Sequence, residues 1–163
     1  MNHKGTRYPA VLKQVDIGEI KGYLKDRFGI PEDALSGYLF LESGQGIWMT
    51  TLEDCDMFVP MKRLEHVGMR LLSRVNTDIE PMTFALQIIG GLATRNVVDL
   101  DRELLSSLLY VGGISHGFDD LDEGYVIVRY GGLVLGCGLY KGRTLEARFP
   151  KGRTEALSVS GLY

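Results

Sequence analysis

The chain has 163 residues, 45% of them hydrophobic, with a formal net charge of −3. That length serves one ordinary core or two small ones and is short for an elaborate enzyme, and a negative field argues against nonspecific nucleic-acid binding by the whole surface. Twenty-one glycines against five prolines point to many tight turns rather than disorder, and so to a strand-rich region.

In chain order, residues 1–13 carry some positive charge but no apolar leader core, and no window approaches the roughly 18 apolar residues of a membrane span. Two cysteines, Cys55 and Cys137, make neither a disulfide framework nor a zinc site, which fits a reducing, cytoplasmic setting with no membrane partner. Residues 16–29 place Ile17, Ile20, Leu24 and Phe28 at helical spacing between a capping Asp16 and a closing Gly29, predicting a helix. A turn at IPEDA leads to two short β-forming runs around SGQG, a hairpin. Residues 64–75 alternate in a way that favours a strand. PMTFALQIIGGLA starts on a proline suited to a first helical turn, with Ala85, Ile88, Ile89 and Leu92 as its apolar stripe.

RNVVDL reads as a strand, DRELLSSLLYV as a helix led by acids, and GGISHG as a turn. GYVIVRY, LVLGCGLY and TLEARF then give three strands separated by Gly-Gly and Lys-Gly-Arg. No flexible linker lies near residues 91–96, so the boundary falls near Ala93, with two units, 1–93 and 94–163, packed together.

Charge is unevenly distributed. Between residues 99 and 123 seven acids face Arg102 alone, whereas between residues 129 and 153 six cations face only Glu146. The acidic residues Asp119, Asp120, Asp122 and Glu123 lack the ligand spacing of a calcium loop and read as a solvated segment. GCGLYKG has its third glycine one residue late for a dinucleotide fingerprint, and no Walker lysine pattern occurs. Of His3, His66 and His116, only the last sits in a glycine-rich loop, where a functional role stands beside that of a polar turn residue. Cys137, in mid-strand, reads as a small buried hydrophobe.

The basic cluster is the strongest chemical signal. KGRT occurs twice, at residues 141–144 and 151–154, and both copies read as basic turns. Strand alternation puts Leu145, Ala147 and Phe149 on one face and Arg148 on the other. Tyr130, Tyr140 and Phe149 interleave with the cations as stacking surfaces for unpaired bases or as core. Composition alone leaves nucleic-acid binding open against an ordinary solvated surface.

The order GYVIVRY, LGCG, RFPK after an acid-led helix resembles a PUA domain, in particular that of the NOL/NOP/Sun-type RNA 5-methylcytosine methyltransferases, with Phe149 where that family has tyrosine. The arrangement of HVGMRLLSRV, PMTFALQIIGGLA and RNVVDL before it is similar to the α/β pre-PUA domain of two-domain ribosome-biogenesis factors. The resemblance implies an α+β fold, a pre-PUA domain packed on a small PUA β-barrel. It implies a non-catalytic binder of structured RNA, rRNA or tRNA-like, without a cofactor, acting alone or beside a separate RNA methyltransferase or ribosomal protein. The methyltransferase catalytic domain itself has no room in this chain. Arg129, Lys141, Arg143, Arg148, Lys151 and Arg153 are the expected phosphate contacts, and Gly112, Gly113 and His116 the expected close-approach loop. The other expectation is a protein-docking module using the acidic residues 119–123 or the first unit.

Overall fold

The computed structural model describes residues 13–44, 46–54, 61, 64, 67–75 and 78–161. Cys55, His3, His66 and the N-terminal stretch read for a leader lie outside these. Among the described residues the fold is mixed α/β, with four α-helices and two five-stranded sheets.

The first sheet runs in sequence order through β1 (Lys13–Gln14), β2 (Leu39–Ser43), β3 (Gly46–Thr50), β4 (Met69–Val75) and β5 (Asp78–Pro81), every pair antiparallel. The β2–β3 hairpin is the one its SGQG sequence predicts, and β4 fills the later part of the predicted strand. Helix α1 (Gly18–Phe28) buries Ile20, Leu24 and Phe28 and ends on Gly29 at φ 65°, a left-handed position suited to glycine. Asp16 accepts the Gly18 N–H at 3.0 Å, so it supplies the expected local bond although the helix starts later.

Helix α2 (Thr83–Ile89) differs from its sequence reading. Pro81 ends β5 and Met82 is the cap residue. Thr83, Ala85, Leu86 and Ile89 are the buried side, while Ile88 and Leu92 are 49% and 53% exposed. The segment is apolar around most of its circumference, and the sheets beneath it select which side is covered.

The second sheet has the order β6-β8-β9-β10-β7, with β6 (Val97–Asp99), β7 (Gly113–Ser115), β8 (Gly124–Tyr130), β9 (Leu133–Lys141) and β10 (Thr144–Ala147). Between β6 and β7 lies α3 (Arg102–Val111), whose cap Asp101 accepts the Leu104 N–H at 2.8 Å, a bond contributing about 1 kcal/mol. GGISHG is thus not only a turn. Gly113–Ser115 pairs with β10 because the β10 edge offers it unpaired backbone groups. The second KGRT is not a turn either: it opens helix α4 (Lys151–Val159), with Pro150 as its cap residue.

This sheet is apolar on both faces. Val126, Val128, Tyr140 and Leu145 pack with α3 and Leu157 of α4 in one core. Ile127 and Cys137 join α1 and α2 in the other. Thr83, at the start of α2, ties the helix to the second sheet: its buried hydroxyl accepts the Cys137 N–H at 3.1 Å and donates to the Arg148 carbonyl at 3.2 Å. Arg148 N–H meets the Cys137 carbonyl directly at 2.9 Å. The hydroxyl therefore stands in for one ladder bond and parts β10 from β9 just after Ala147. Beside it Gly136 admits no side chain, since a Cβ would come within 2.7 Å of both Thr83 and Phe149.

Candidate nucleic-acid interface

The turn joining β9 to β10 is Gly142–Arg143, with φ 56° and 61° and Lys141 paired to Thr144. Both signs are those of a type I′ hairpin, which needs left-handed backbone at its two central residues. The neighbouring β8–β9 hairpin meets the same demand with Gly131 and Gly132 at φ 56° and 80°. Arg143 instead pays about 1 kcal/mol of steric cost for an arginine in this place. Three contacts hold the turn. Glu123 accepts the Gly142 N–H at 2.9 Å, the Arg143 carbonyl accepts the His116 N–H at 3.0 Å, and the Arg143 guanidinium lies over Gly117, where a Cβ would collide with it.

Ser115, His116, Gly117, Gly142, Arg143 and Thr144 enclose an open recess of about 400 Å³. Its polar side chains are a guanidinium, an imidazole and two hydroxyls, all able to donate to an anion. The His116 ring rests on Phe118 at 4.6 Å between centroids, and Phe118 meets Tyr140 edge-on at 5.8 Å. The Tyr140 hydroxyl accepts the Phe118 N–H at 3.1 Å. A chain of rings rooted in the core thus sets the histidine beside the turn.

Lys141 and Arg148 face the other side of the hairpin, where a cleft of about 650 Å³ opens between α1 and β5 on one side and the second sheet on the other. Arg27 of α1 reaches across that seam, donating to the Tyr125 and Asp122 carbonyls at 2.7 and 2.8 Å. Arg148 touches Glu146 at 3.6 Å, and Lys141 makes no ion pair among the described residues.

The remaining expected contacts fall elsewhere. Arg129 pairs with Asp99 at 2.7 Å. It lies opposite Val134, while Gly124 is opposite Tyr140, which puts it about 17 Å along the strand from the hairpin end. Lys151 is paired to Glu155 one helical turn on, at 3.8 Å. Arg153 is half-buried with its Nε enclosed, and neither lines the recess or the cleft. Gly112 closes α3 in the left-handed region at φ 84° and its carbonyl accepts the Ala147 N–H, while Gly113 is the first residue of β7. Of the three proposed stacking rings, Tyr140 is 6% exposed and Tyr130 and Phe149 pack on the same core. The acidic segment is not merely solvated. Besides Glu123, Asp122 receives and returns bonds with the side chain of the buried Asn96. No group of three acids, histidines or cysteines among the described residues is placed to hold a metal ion.

Cys137 is fully buried as its strand position predicts. Burial, and then the Glu80 charge, push its thiol well above the usual range, so it carries no thiolate at neutral pH. Burial likewise raises Tyr23 and Tyr125, leaving neutral phenols along the seam. Thr83, Gly117, Arg27 and the two tyrosines were not singled out by sequence. Only Gly117, inside GGISHG, carried a local signal, and the others depend on contacts between distant segments.

Residues 95–154 match the family model described as the methyltransferase RsmF PUA domain. The second sheet, α3 and the start of α4 therefore constitute a PUA domain, and over these residues the chain resembles the PUA domains of Sun-type RNA methyltransferases. PUA domains as a class bind RNA, and the side chains lining the recess are hydrogen-bond donors. No curated protein matches the chain. No helix among the described residues is long and apolar enough to cross a membrane.

Proposed function

We propose that this protein is a non-catalytic binder of structured RNA, acting on rRNA or a pre-ribosomal particle in the cytoplasm, with its first unit serving as a pre-PUA platform. The observation that carries this reading is Arg143: an exposed arginine held in a left-handed turn, its head group placed over Gly117 beside His116, inside a domain of an RNA-binding class. Lys141 and Arg148 extend the positive surface to the other side of the same hairpin. Arg129 and Lys151, which line neither the recess nor the cleft, contribute less.

Three available cations imply about three phosphate contacts, so log affinity for a structured rRNA fragment is expected to fall against log salt with a slope of about −2 to −3. Duplex DNA, run alongside, is expected to bind more weakly. Equal affinity for both, or a slope near zero, contradicts the reading.

A second reading is supported by one feature. Phe84, Ile88 and Leu92 are spaced four apart and all about half exposed, an apolar stripe suited to docking a protein such as a ribosomal protein or an RNA methyltransferase. A partner retained after nuclease treatment and lost on Ile88→Glu supports it, and loss of all co-purifying protein with the RNA counts against it.

A further inference from the structure

The cleft between α1, β5 and the second sheet has features that the phosphate-binding recess lacks. Its floor is the rim of the second-sheet face that packs on α1 and α2, where Leu139 lies directly opposite Tyr125 in the β8–β9 ladder, so the ring and the aliphatic side chain form one continuous apolar surface. Lys141 is two residues beyond Leu139 on the same face, and Arg148 lies past the adjoining strand; both line the cleft. Asp78 enters from β5 on the opposite wall. Three other lining groups are committed: the Tyr23 hydroxyl donates to the Ile79 carbonyl at 3.3 Å, Arg27 is held on the Tyr125 and Asp122 carbonyls, and the Glu123 carboxylate accepts the Gly142 N–H at 2.9 Å. These bonds fix the walls and leave an aromatic platform, two cations and one carboxylate for a ligand.

We propose that this cleft holds a single unpaired nucleotide of the bound RNA, its base on Tyr125 and Leu139 and its phosphate between Lys141 and Arg148. The proposal rests on the RNA-binding reading above and deepens it. The class of ligand follows from the combination. A base needs an apolar face for stacking, a phosphate needs cations at one end, and Asp78 accepts from an exocyclic amino group, which favours adenine or cytosine over uracil. Continuity supports it as well: Lys141 and Arg143 flank the same two-residue turn, one lining the cleft and the other the recess. An RNA strand crossing the hairpin tip thus places one phosphate on Arg143 and swings the adjacent nucleotide into the cleft. Duplex RNA, with its bases stacked, reaches only the recess.

The test compares a labelled single-stranded octaribonucleotide of adenines and cytosines with a blunt RNA duplex containing it, for wild type, Tyr125→Ala and Arg143→Gly, together with amide chemical shifts of the unmodified protein. Tyr125→Ala is expected to lower single-strand affinity about tenfold, as loss of one stacked base does, and to leave duplex affinity unchanged. The Gly124 and Leu139 amides are expected to shift with the single strand alone. Arg143→Gly is expected to weaken both RNAs. If Arg143→Gly weakens both while Tyr125→Ala weakens neither and the cleft amides stay still, the nucleotide site is overturned and the RNA-binding reading stands. If wild type binds neither RNA, both are overturned. The amide shifts keep the test decisive should Tyr125→Ala fold poorly.

Discussion

The two KGRT tetrapeptides are identical in sequence and ten residues apart, and they occupy opposite structural roles. The first is a type I′ hairpin with Arg143 in left-handed backbone and its side chain exposed beside His116. The second is the opening turn of a helix, with Lys151 paired to Glu155 and Arg153 half-buried. Their surroundings account for the difference. Residues 141–144 are gripped on both sides by ladder pairing and from above by Glu123, so the chain has only two residues in which to reverse. Residues 151–154 follow the point where Thr83 parts β10 from β9, and with Pro150 fixing the entry the chain is free to coil. The same four residues thus present their cations to a recess in one place and to a helix surface in the other.

The largest expected effect separates the two copies directly. Lys141→Glu with Arg143→Glu is expected to lower affinity for a structured RNA about 100-fold, as the loss of two charge-assisted contacts would, and to reduce the salt slope by about two. Lys151→Glu is expected to change affinity by less than about threefold, because Lys151 lines neither the recess nor the cleft. Equal losses from the two sites would erase the distinction.

Next is the device that separates the copies structurally. Thr83→Val keeps the shape of the side chain but leaves the Cys137 N–H and the Arg148 carbonyl without their partner. The expected destabilisation is about 2 kcal/mol in chemical unfolding, with Thr83→Ser costing under about 1 kcal/mol. A neutral Thr83→Val would show that the hydroxyl bridge does not hold α2 on the second sheet.

Smaller in magnitude but opposite in sign is Arg143→Gly. Removing a Cβ from left-handed backbone is expected to leave stability unchanged or raise it by up to about 1 kcal/mol, measured as an unfolding midpoint. The smallest effect is Glu123→Gln, which weakens the acceptor of the Gly142 N–H and is expected to cost about 0.5 kcal/mol. A larger loss would mean that the acidic segment carries more of the hairpin than one bond.

Several of these features could be read in the sequence because their causes are local. Helix α1 is set by apolar residues at period 3.6 and by Gly29, and β8 to β10 by β-forming runs with turn glycines between them. Arg148 faces outward as strand alternation requires. Other features depend on segments far apart in the chain. Helix α4 has only Leu157 buried, so it offers no apolar stripe to find, and β7 is a strand only because β10 lies beside it. Ile88 was expected in the core, yet nothing in a helix that is apolar nearly all round says which side meets the sheet. The rings chosen for stacking were the core rings. Tyr125, which lines the cleft, becomes identifiable only once α1 and β5 are seen across from it. Of the candidate site, the charge cluster and GGISHG marked the hairpin and its neighbour, while Arg129 and Lys151 line neither the recess nor the cleft, a separation that no local pattern shows.

The most direct test is the affinity of Arg143→Gly for a structured rRNA fragment at fixed salt, because this substitution removes the charge while relieving the turn. Affinity is expected to fall about tenfold, the loss of one charge-assisted phosphate contact, in a protein at least as stable as wild type. Unchanged affinity would contradict the account, showing that an arginine in a costly backbone conformation is not there to hold RNA.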